Sequence, residues 1–484
     1  FYLYMNLTKP EEFLHISYSK VSSDGKTLRP AYLVWDLKKL FPKLVVTEEE
    51  ALLMTQRELT PGEGLEFVIR GVRDRYLGVD ESWKELYTWY RQNEGQKVDR
   101  ILDAGFFKKK PDALTGEEAA ELYGEKKQFS VTRMERFSAC AYAHFLTYGL
   151  HLSDRERYEF EAMDLGNIAH QSMERFARKA QEKRMPWPKL EEVQRDAMIE
   201  ESVEESIKDY GNTVLYSTAR NEYMIVRIKQ LIRRSVWALT RQMEKGDFEP
   251  SGYEMNFGSG KIDRIDTCED EDMVYVKVTD YKTGMKSFDI VALYHGLQMQ
   301  LPVYLNAALE LEERRAPGKT VEPAGIFYYR IKDPIVDREK DDHALEEKIL
   351  KELRLDGMIN AKEEVIEHLE HQLSGTSVLN PIGKNKDGSL NRYSKVLPPE
   401  AFAAMLSYTK KKEAQVKRQI YAGEVQANPY ELNGSTGCDY CAYRDICGFD
   451  PRLDGYAYRS LEKYSKEEVI RRMEEEIENR EEPS

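Results

Sequence analysis

Two aspartates and a lysine carry the strongest chemical signal in this chain. The run Gly260-Lys261-Ile262-Asp263-Arg264-Ile265-Asp266 is followed, after a short polar turn, by Val274-Tyr275-Val276-Lys277-Val278-Thr279-Asp280-Tyr281-Lys282-Thr283-Gly284. Side chains alternate along a strand, so Val274, Val276, Val278, Asp280 and Lys282 share one face. An apolar face that ends in a carboxylate and an amine costs free energy unless the charges pair or hold a metal. A hairpin brings Asp263 beside Asp280, and two close carboxylates repel unless a cation lies between them. Hard oxygen donors with room for water suit Mg²⁺ or Mn²⁺. Lys282 is then placed to stabilise negative charge developing on a phosphate, or to position an attacking water. The plain alternative is an ordinary hairpin with a surface Asp-Lys pair, which D-x-K alone does not exclude.

A second group is cysteine-based. Cys438, Cys441 and Cys447 have C-x2-C-x5-C spacing. Three thiolates in a short loop need a fourth ligand to close a tetrahedral or cubane site, and Cys140 and Cys268 are the candidates. Spacing alone favours structural Zn²⁺. Five cysteines in a long chain without a secretory signal do not read as a disulfide framework.

The elements that must position these residues follow from periodicity. Thr132-Arg133-Met134-Glu135 fits a capping box and predicts a helix running through Cys140 toward Tyr148. Helical patterns cover about 163–183 and 189–245. Three strand-like runs follow (253–257, 261–266 and 273–282), then helical patterns at 291–313, 342–369 and 399–422, the cysteine loop, and a charged helix at 465–482. Upstream, Phe13 to Tyr18 and Ala31 to Trp35 read as strands, with a short helical period from Asp36 to Leu40. Residues 1–85 thus read as the closing part of an α/β layer, 86–127 as a charged linker or surface helices, 128–450 as the main domain and 451–484 as a charged tail.

These residues resemble a known family. Asp263, Asp280 and Lys282 are similar to the core of RecB-type PD-(D/E)XK nucleases. Gly166-Asn167-Ile168-Ala169-His170 is similar to that family's G-x-x-x-H, and Gln300-Leu301-Pro302-Val303-Tyr304 to its Q-x-x-x-Y. The cysteines resemble those of the iron-sulfur nucleases, with Cys140 as the first ligand, although Ala141 stands where that family usually has Pro; Cys268 then reads as a bystander. The similarity extends from about Phe129 to Asp450 and is to the AddB-type subunits of bacterial AddAB helicase-nucleases.

The resemblance implies an α/β fold with a mixed central sheet flanked by helices, preceded by a remnant of a helicase-like core. It implies His170, Asp263 and Asp280 around Mg²⁺ (or Mn²⁺), Lys282 assisting the attacking water, and Gln300 and Tyr304 orienting the strand or the lysine. It further implies a [4Fe-4S] cluster on Cys140, Cys438, Cys441 and Cys447, an AddA-type partner subunit, and cleavage of the 5′-terminated DNA strand at double-strand breaks. Leu7-Thr8-Lys9-Pro10 sits like the last helicase motif, with Lys9 where active helicases carry arginine. No G-x-x-x-x-G-K-[ST] loop is present, so no ATPase is expected.

Composition sets the outer limits. The 484 residues carry a net charge of −14, which taken alone argues against a nucleic-acid partner. A polyanion needs only a local basic lining, however, and metal-binding carboxylates count against the total. Cationic runs occur at Lys108 to Lys110, Arg175 to Arg184, Arg227 to Arg234 and Lys410 to Lys412, each of which also reads as a solvated helix face. Apolar stretches are cut by charge well before a membrane span, giving a soluble, cytoplasmic expectation with no membrane partner. The first residues, FYLYMNLTKPEEF, read as cut from a longer chain. Two rival functions are a DNA-binding scaffold with an unused nuclease site and a zinc-stabilised interaction module.

Overall fold

The computed structural model describes residues 2–22, 26–48, 60–74, 81–106, 112–124, 129–153, 160, 162–210, 215–216, 218–258, 260–339 and 341–478. The chain divides into two compact units, Phe1–Phe107 and Lys108–Ser484. The boundary falls inside the charged 86–127 stretch, and the Lys108 to Lys110 run lies outside the described residues.

The described residues of the first unit include helices at Tyr2–Thr8, Tyr32–Leu40, Pro61–Asp74, Trp83–Asn93 and Gly95–Gly105. Val68, Tyr90 and Val98 join the last three in a small core. The two strands expected here are not formed. Residues 13–18 have no regular structure, and Tyr32 to Trp35 begin a helix. Leu33, Val34, Leu37 and Leu40 recur at helical rather than alternating spacing, so the 3.6-residue period prevails over β-propensity. The α/β reading of residues 1–85 is corrected accordingly for the described residues.

In the second unit the elements that build the central sheet and its covering helices are, in chain order, α1 (Val131–Ala139), α2 (Ala162–Glu182), α3 (Glu192–Asp209), α4 (Ala219–Met243), β1 (Glu249–Phe257), β2 (Gly260–Glu269), β3 (Met273–Lys282), α5 (Ile290–Tyr294), α6 (Gln300–Arg315), β4 (Thr320–Arg330), α7 (Asp342–Glu352), β5 (Asp356–Asn360), α8 (Glu363–Leu369), β6 (Val396–Leu397), α9 (Pro399–Tyr421) and α10 (Lys466–Glu478). The six strands form one mixed sheet in the order β1-β2-β3-β4-β5-β6. The β1-β2, β2-β3 and β4-β5 pairs are antiparallel; β3-β4 and β5-β6 are parallel. The β3-β4 crossover contains α6.

Helices cover both faces, and the strands split their side chains between two cores. Phe327 and Tyr329 of β4 join Tyr275 and Tyr281 against α2, α3 and α4, where Ile168, Phe176, Ile199, Val203, Ile228 and Ile232 are buried. Ile326 and Tyr328 join Val274, Val276 and Val278 against α6 and α9, with Leu301, Leu305, Phe402 and Met405. A sheet covered on both sides explains the almost unbroken buried run of β3. Between these layers Asp266 takes Arg264 Nε at 2.6 Å and Lys277 Nζ at 3.5 Å, and all three are buried.

Several expected elements are interrupted. The 189–245 pattern is two helices, α3 and α4. The 291–313 helix breaks at Gly296, whose φ of +78° and close approach to Ser138 Oγ (2.7 Å from a built Cβ) favour glycine. The 342–369 pattern hides β5, a five-residue strand between two charged helices. α1 starts from Ser130, whose hydroxyl accepts from Arg133 N, and not from Thr132. It stops at Cys140, which is extended, before a new turn at Ala141–His144.

Candidate active site

Three carboxylates lie in one row across β1, β2 and β3. Arg264 pairs with Thr279, so the next step of the antiparallel register sets Asp263 opposite Asp280. On the other side, Tyr253 pairs with Arg264 and Met255 with Ile262, which sets Glu254 opposite Asp263. Glu254 adopts φ +48°, left-handed backbone that is strained for a residue with a Cβ, on a strand already irregular between Pro250 and Gly252. Motif reading missed this residue; a carboxylate in the short strand facing G-K-I-D was the available signal.

His170 reaches the row from α2. Its Nδ1 lies 3.2 Å from Asp263 Oδ2, and donor atoms of His170, Glu254 and Asp263 all lie within 4.8 Å of one another. Gly166, one turn earlier, explains the approach: a Cβ there would sit 3.2 Å from Thr283 Oγ1, just beyond Lys282. The helix therefore lies against the end of β3. Asp263 Oδ2 also accepts from Tyr281 N at 2.7 Å.

Asp280 is 1 % exposed, and each of its oxygens has a neighbour. Gln300 Nε2 donates to Oδ1 at 2.9 Å and also lies 2.9 Å from the Tyr304 hydroxyl. Lys282 Nζ is 2.5 Å from Oδ2 as an ion pair, yet that buried oxygen receives no aligned hydrogen bond. Glu135, a second residue motif reading did not assign, accepts from Met299 N (2.7 Å) and Gln300 N (3.0 Å). It thereby caps α6 from another helix, serving the tertiary contact instead of the local capping box expected at Thr132.

The electrostatics match a row of crowded acids. Burial, then the Asp263 charge, push Asp280 up to about 6 despite Lys282. Burial and Asp263 likewise push Glu254 up to about 6, with Lys261 opposing. Burial opposes the charged form of His170, but the Asp263 hydrogen bond and charge, with Asp280, outweigh it and raise the imidazole. Burial raises the Tyr304 phenol, which stays protonated at neutral pH.

Cys140, Cys438, Cys441 and Cys447 lie elsewhere in the same unit. Cys140 is buried with Ala143, Leu146 and Tyr443, and Cys441 packs against this group. Ala141 N donates to Asn428 Oδ1 at 3.1 Å, and Gly437 passes so close that a Cβ would lie 2.8 Å from Ala139 O. Burial, with Cys140, Cys441 and Cys447 nearby, pushes the Cys438 thiol up to about 11. Cys268 lies apart, on β2.

The basic runs are largely matched by acids. Arg227 and Arg234 share Asp333 (3.4 and 3.5 Å), Lys229 meets Glu204 (2.8 Å), and Arg233 pairs with Asp196 and Glu200. Arg175 and Lys179 pair with Glu205, and Lys410 meets Glu310 at 3.0 Å. The acids of α3 neutralise most of this face. Among the described residues no helix is long and apolar enough to cross a membrane.

Comparison with known proteins fits this geometry. Residues 128–448 match the PD-(D/E)XK nuclease superfamily. The chain is 37 % identical over 489 residues to a protein from Lachnoclostridium phytofermentans named as the B subunit of an ATP-dependent helicase/deoxyribonuclease, covering 97 % of this chain and 42 % of that relative. Proteins of the same name from Alkaliphilus oremlandii and Caldanaerobacter subterraneus are each 32 % identical, covering 99 % and 97 % of this chain but 44 % and 43 % of their own lengths. The chain therefore spans less than half of these relatives. Most of its residues lie inside the superfamily match, and with Asp263 and Asp280 opposed on adjacent strands and Lys282 beside them, the chain belongs to the PD-(D/E)XK nuclease superfamily.

Proposed function

We propose that this chain hydrolyses DNA phosphodiester bonds at the Asp263-Asp280 site, as the nuclease part of a helicase-nuclease that processes double-strand breaks for homologous recombination. The observation that carries the reading is the carboxylate row with Lys282 on Asp280 and His170 on Asp263. The donors of His170, Glu254 and Asp263, grouped within 4.8 Å, fit a divalent cation, Mg²⁺ or Mn²⁺, and Asp280 stands opposite Asp263 on the next strand with a buried Oδ2 that lacks an aligned hydrogen bond. Such an ion, when bound, supplies Lewis acidity toward the phosphate and acidifies a water. Lys282 offers its ammonium to the attacking water and to charge developing on the phosphate. Gln300 fixes the rotation of Asp280 through Oδ1, and Tyr304 holds Gln300. The test is Mg²⁺-dependent cleavage of end-labelled single-stranded DNA by the chain and by Asp280→Ala. Loss of cleavage in the variant is expected; equal cleavage overturns the site.

We also assign a [4Fe-4S] cluster to Cys140, Cys438, Cys441 and Cys447. Four thiols lie in one region, with Cys438 raised first by burial and then by the other three, a set that a cationic cluster relieves. Anaerobically purified protein should be brown, with about four irons per chain; a colourless protein with one zinc overturns the assignment. The relatives are named as one component of a helicase/deoxyribonuclease, which supports a partner. We take that partner to be AddA-type in the cytoplasm, with the 5′-terminated strand as substrate. We assign no ATP hydrolysis to these residues.

A further inference from the structure

At the end of β2 remote from Asp263, four segments converge on a polar pocket. Cys268 Sγ, a carboxylate oxygen of Asp247 and a ring nitrogen of His368 all lie within 4.8 Å of one another. His368 Nδ1 is 2.9 Å from Asp247 Oδ2, and its Nε2 is 3.2 Å from Asp270 Oδ2. His371 Nε2 is 2.9 Å from Asp247 Oδ1. Five residues of strand separate Cys268 from Asp263, roughly 16 Å at strand rise, so this pocket is separate from the nuclease row.

The backbone places these donors without help from a ligand. Asp247 N donates to His368 O at 2.8 Å and His371 N to Lys245 O at 2.7 Å, joining the entry of β1 to the end of α8. Gly246 makes that contact possible, since a Cβ there would lie 2.4 Å from His368 O and 2.6 Å from Leu369 O. Cys268 is a free thiol, 5 % exposed, paired across the strands with Tyr275, whose ring centroid is 5.5 Å from that of His368. Asp247 and His368 keep a path to solvent.

We propose that Asp247, Cys268 and His368 form a second metal site that takes Zn²⁺. The donor set decides the ion: thiolate, imidazole and carboxylate together suit zinc, whereas the oxygen-rich nuclease row suits Mg²⁺ or Mn²⁺. His368 presents Nδ1 to the metal while its Nε2-H donates to Asp270, the carboxylate-histidine-metal arrangement that fixes ring orientation. His371 holds the second oxygen of Asp247. Binding displaces the Cys268 thiol proton to solvent and leaves the thiolate on the metal. The bound ion ties the start of β1, the end of β2 and the end of α8 together at the edge opposite the catalytic row.

The test uses the full chain, stripped with chelator and dialysed against Zn²⁺ in excess Mg²⁺. Wild type should retain one more zinc than Cys268→Ala and Asp247→Asn, and zinc should raise its melting temperature in a way both variants lose. Asp247 is partly exposed, so Asp247→Asn keeps the test decisive if Cys268→Ala does not fold. Asp270→Asn should weaken zinc binding about 10- to 100-fold. Asp280→Ala, altered only at the nuclease row, should keep the zinc. In cobalt-loaded protein the thiolate charge-transfer absorption lost on Cys268→Ala marks this sulfur. Equal zinc content and equal melting shifts in wild type and Asp247→Asn overturn the site.

Discussion

Replacing Asp280 with asparagine should make the metal-free protein more stable while destroying its proposed activity. The Asp280 carboxyl has an ordinary value of 3.8 and is pushed up to about 6 in the fold, after the attraction of Lys282 has already been counted. Burial and the Asp263 charge thus outweigh Lys282, and the fold disfavours the charged form. Because the folded-state value lies above the unfolded one, the folded protein binds the extra proton between about pH 4 and 6. Stability therefore falls as pH rises through that window and stays low above it. Asp280→Asn removes the charge, keeps an acceptor for Gln300, and should raise the melting temperature at pH 7.5 in chelator by on the order of a few degrees. The advantage should shrink toward zero as pH drops to 4. Adding Mg²⁺ should stabilise wild type more than the variant, narrowing or reversing the order. Urea and thermal unfolding in chelator at pH 4 and 7.5 measure all of this. A variant less stable than wild type at pH 7.5, or a difference that ignores pH, would refute the claim that this carboxylate is held in place for a cation.

Three further outcomes are expected. DNA cleavage at fixed Mg²⁺ should fall as pH drops below about 6, because protons compete with the ion for Asp280 and Glu254, and Glu254→Gln should demand more Mg²⁺ for the same rate; a flat profile from pH 5 to 8 contradicts this. Asp266→Leu should cost about 3 to 5 kcal/mol in urea unfolding, since it leaves Arg264 and Lys277 buried without their shared partner; a change under 1 kcal/mol speaks against it. Neutralising Arg233 with Arg234, or Lys410 with Lys411 and Lys412, should leave the salt dependence of single-stranded DNA binding unchanged, because Arg233, Arg234 and Lys410 already face acids; a flattened slope would place those runs on the DNA path.

Asp263, Asp280 and Lys282 were legible because strand alternation and a short hairpin are local rules that fix which side chains meet. His170, Gln300 and Tyr304 came only through family likeness, since each arrives on a helix whose docking no periodicity encodes. Glu254 escaped because its placement depends on left-handed backbone beside a strand irregularity. Glu135 was read as a local cap, and a partner 164 residues away claimed it. β5 was lost for a related reason: five residues between charged helices become a strand only because β4 and β6 flank them. In the first unit, helical spacing overruled the strand suggested at 31–35, and the apolar run at 13–18 has no regular structure.

Helix α1 has two ends with different obligations. From its middle, Glu135 holds the first turn of α6 and so the Gln300 grip on Asp280; at its close, Cys140 meets a loop encoded about 300 residues later. The same nine-residue helix thus serves both places, and a disturbance of the Cys140 loop has a covalent route, one helix long, to the amide that steadies Asp280.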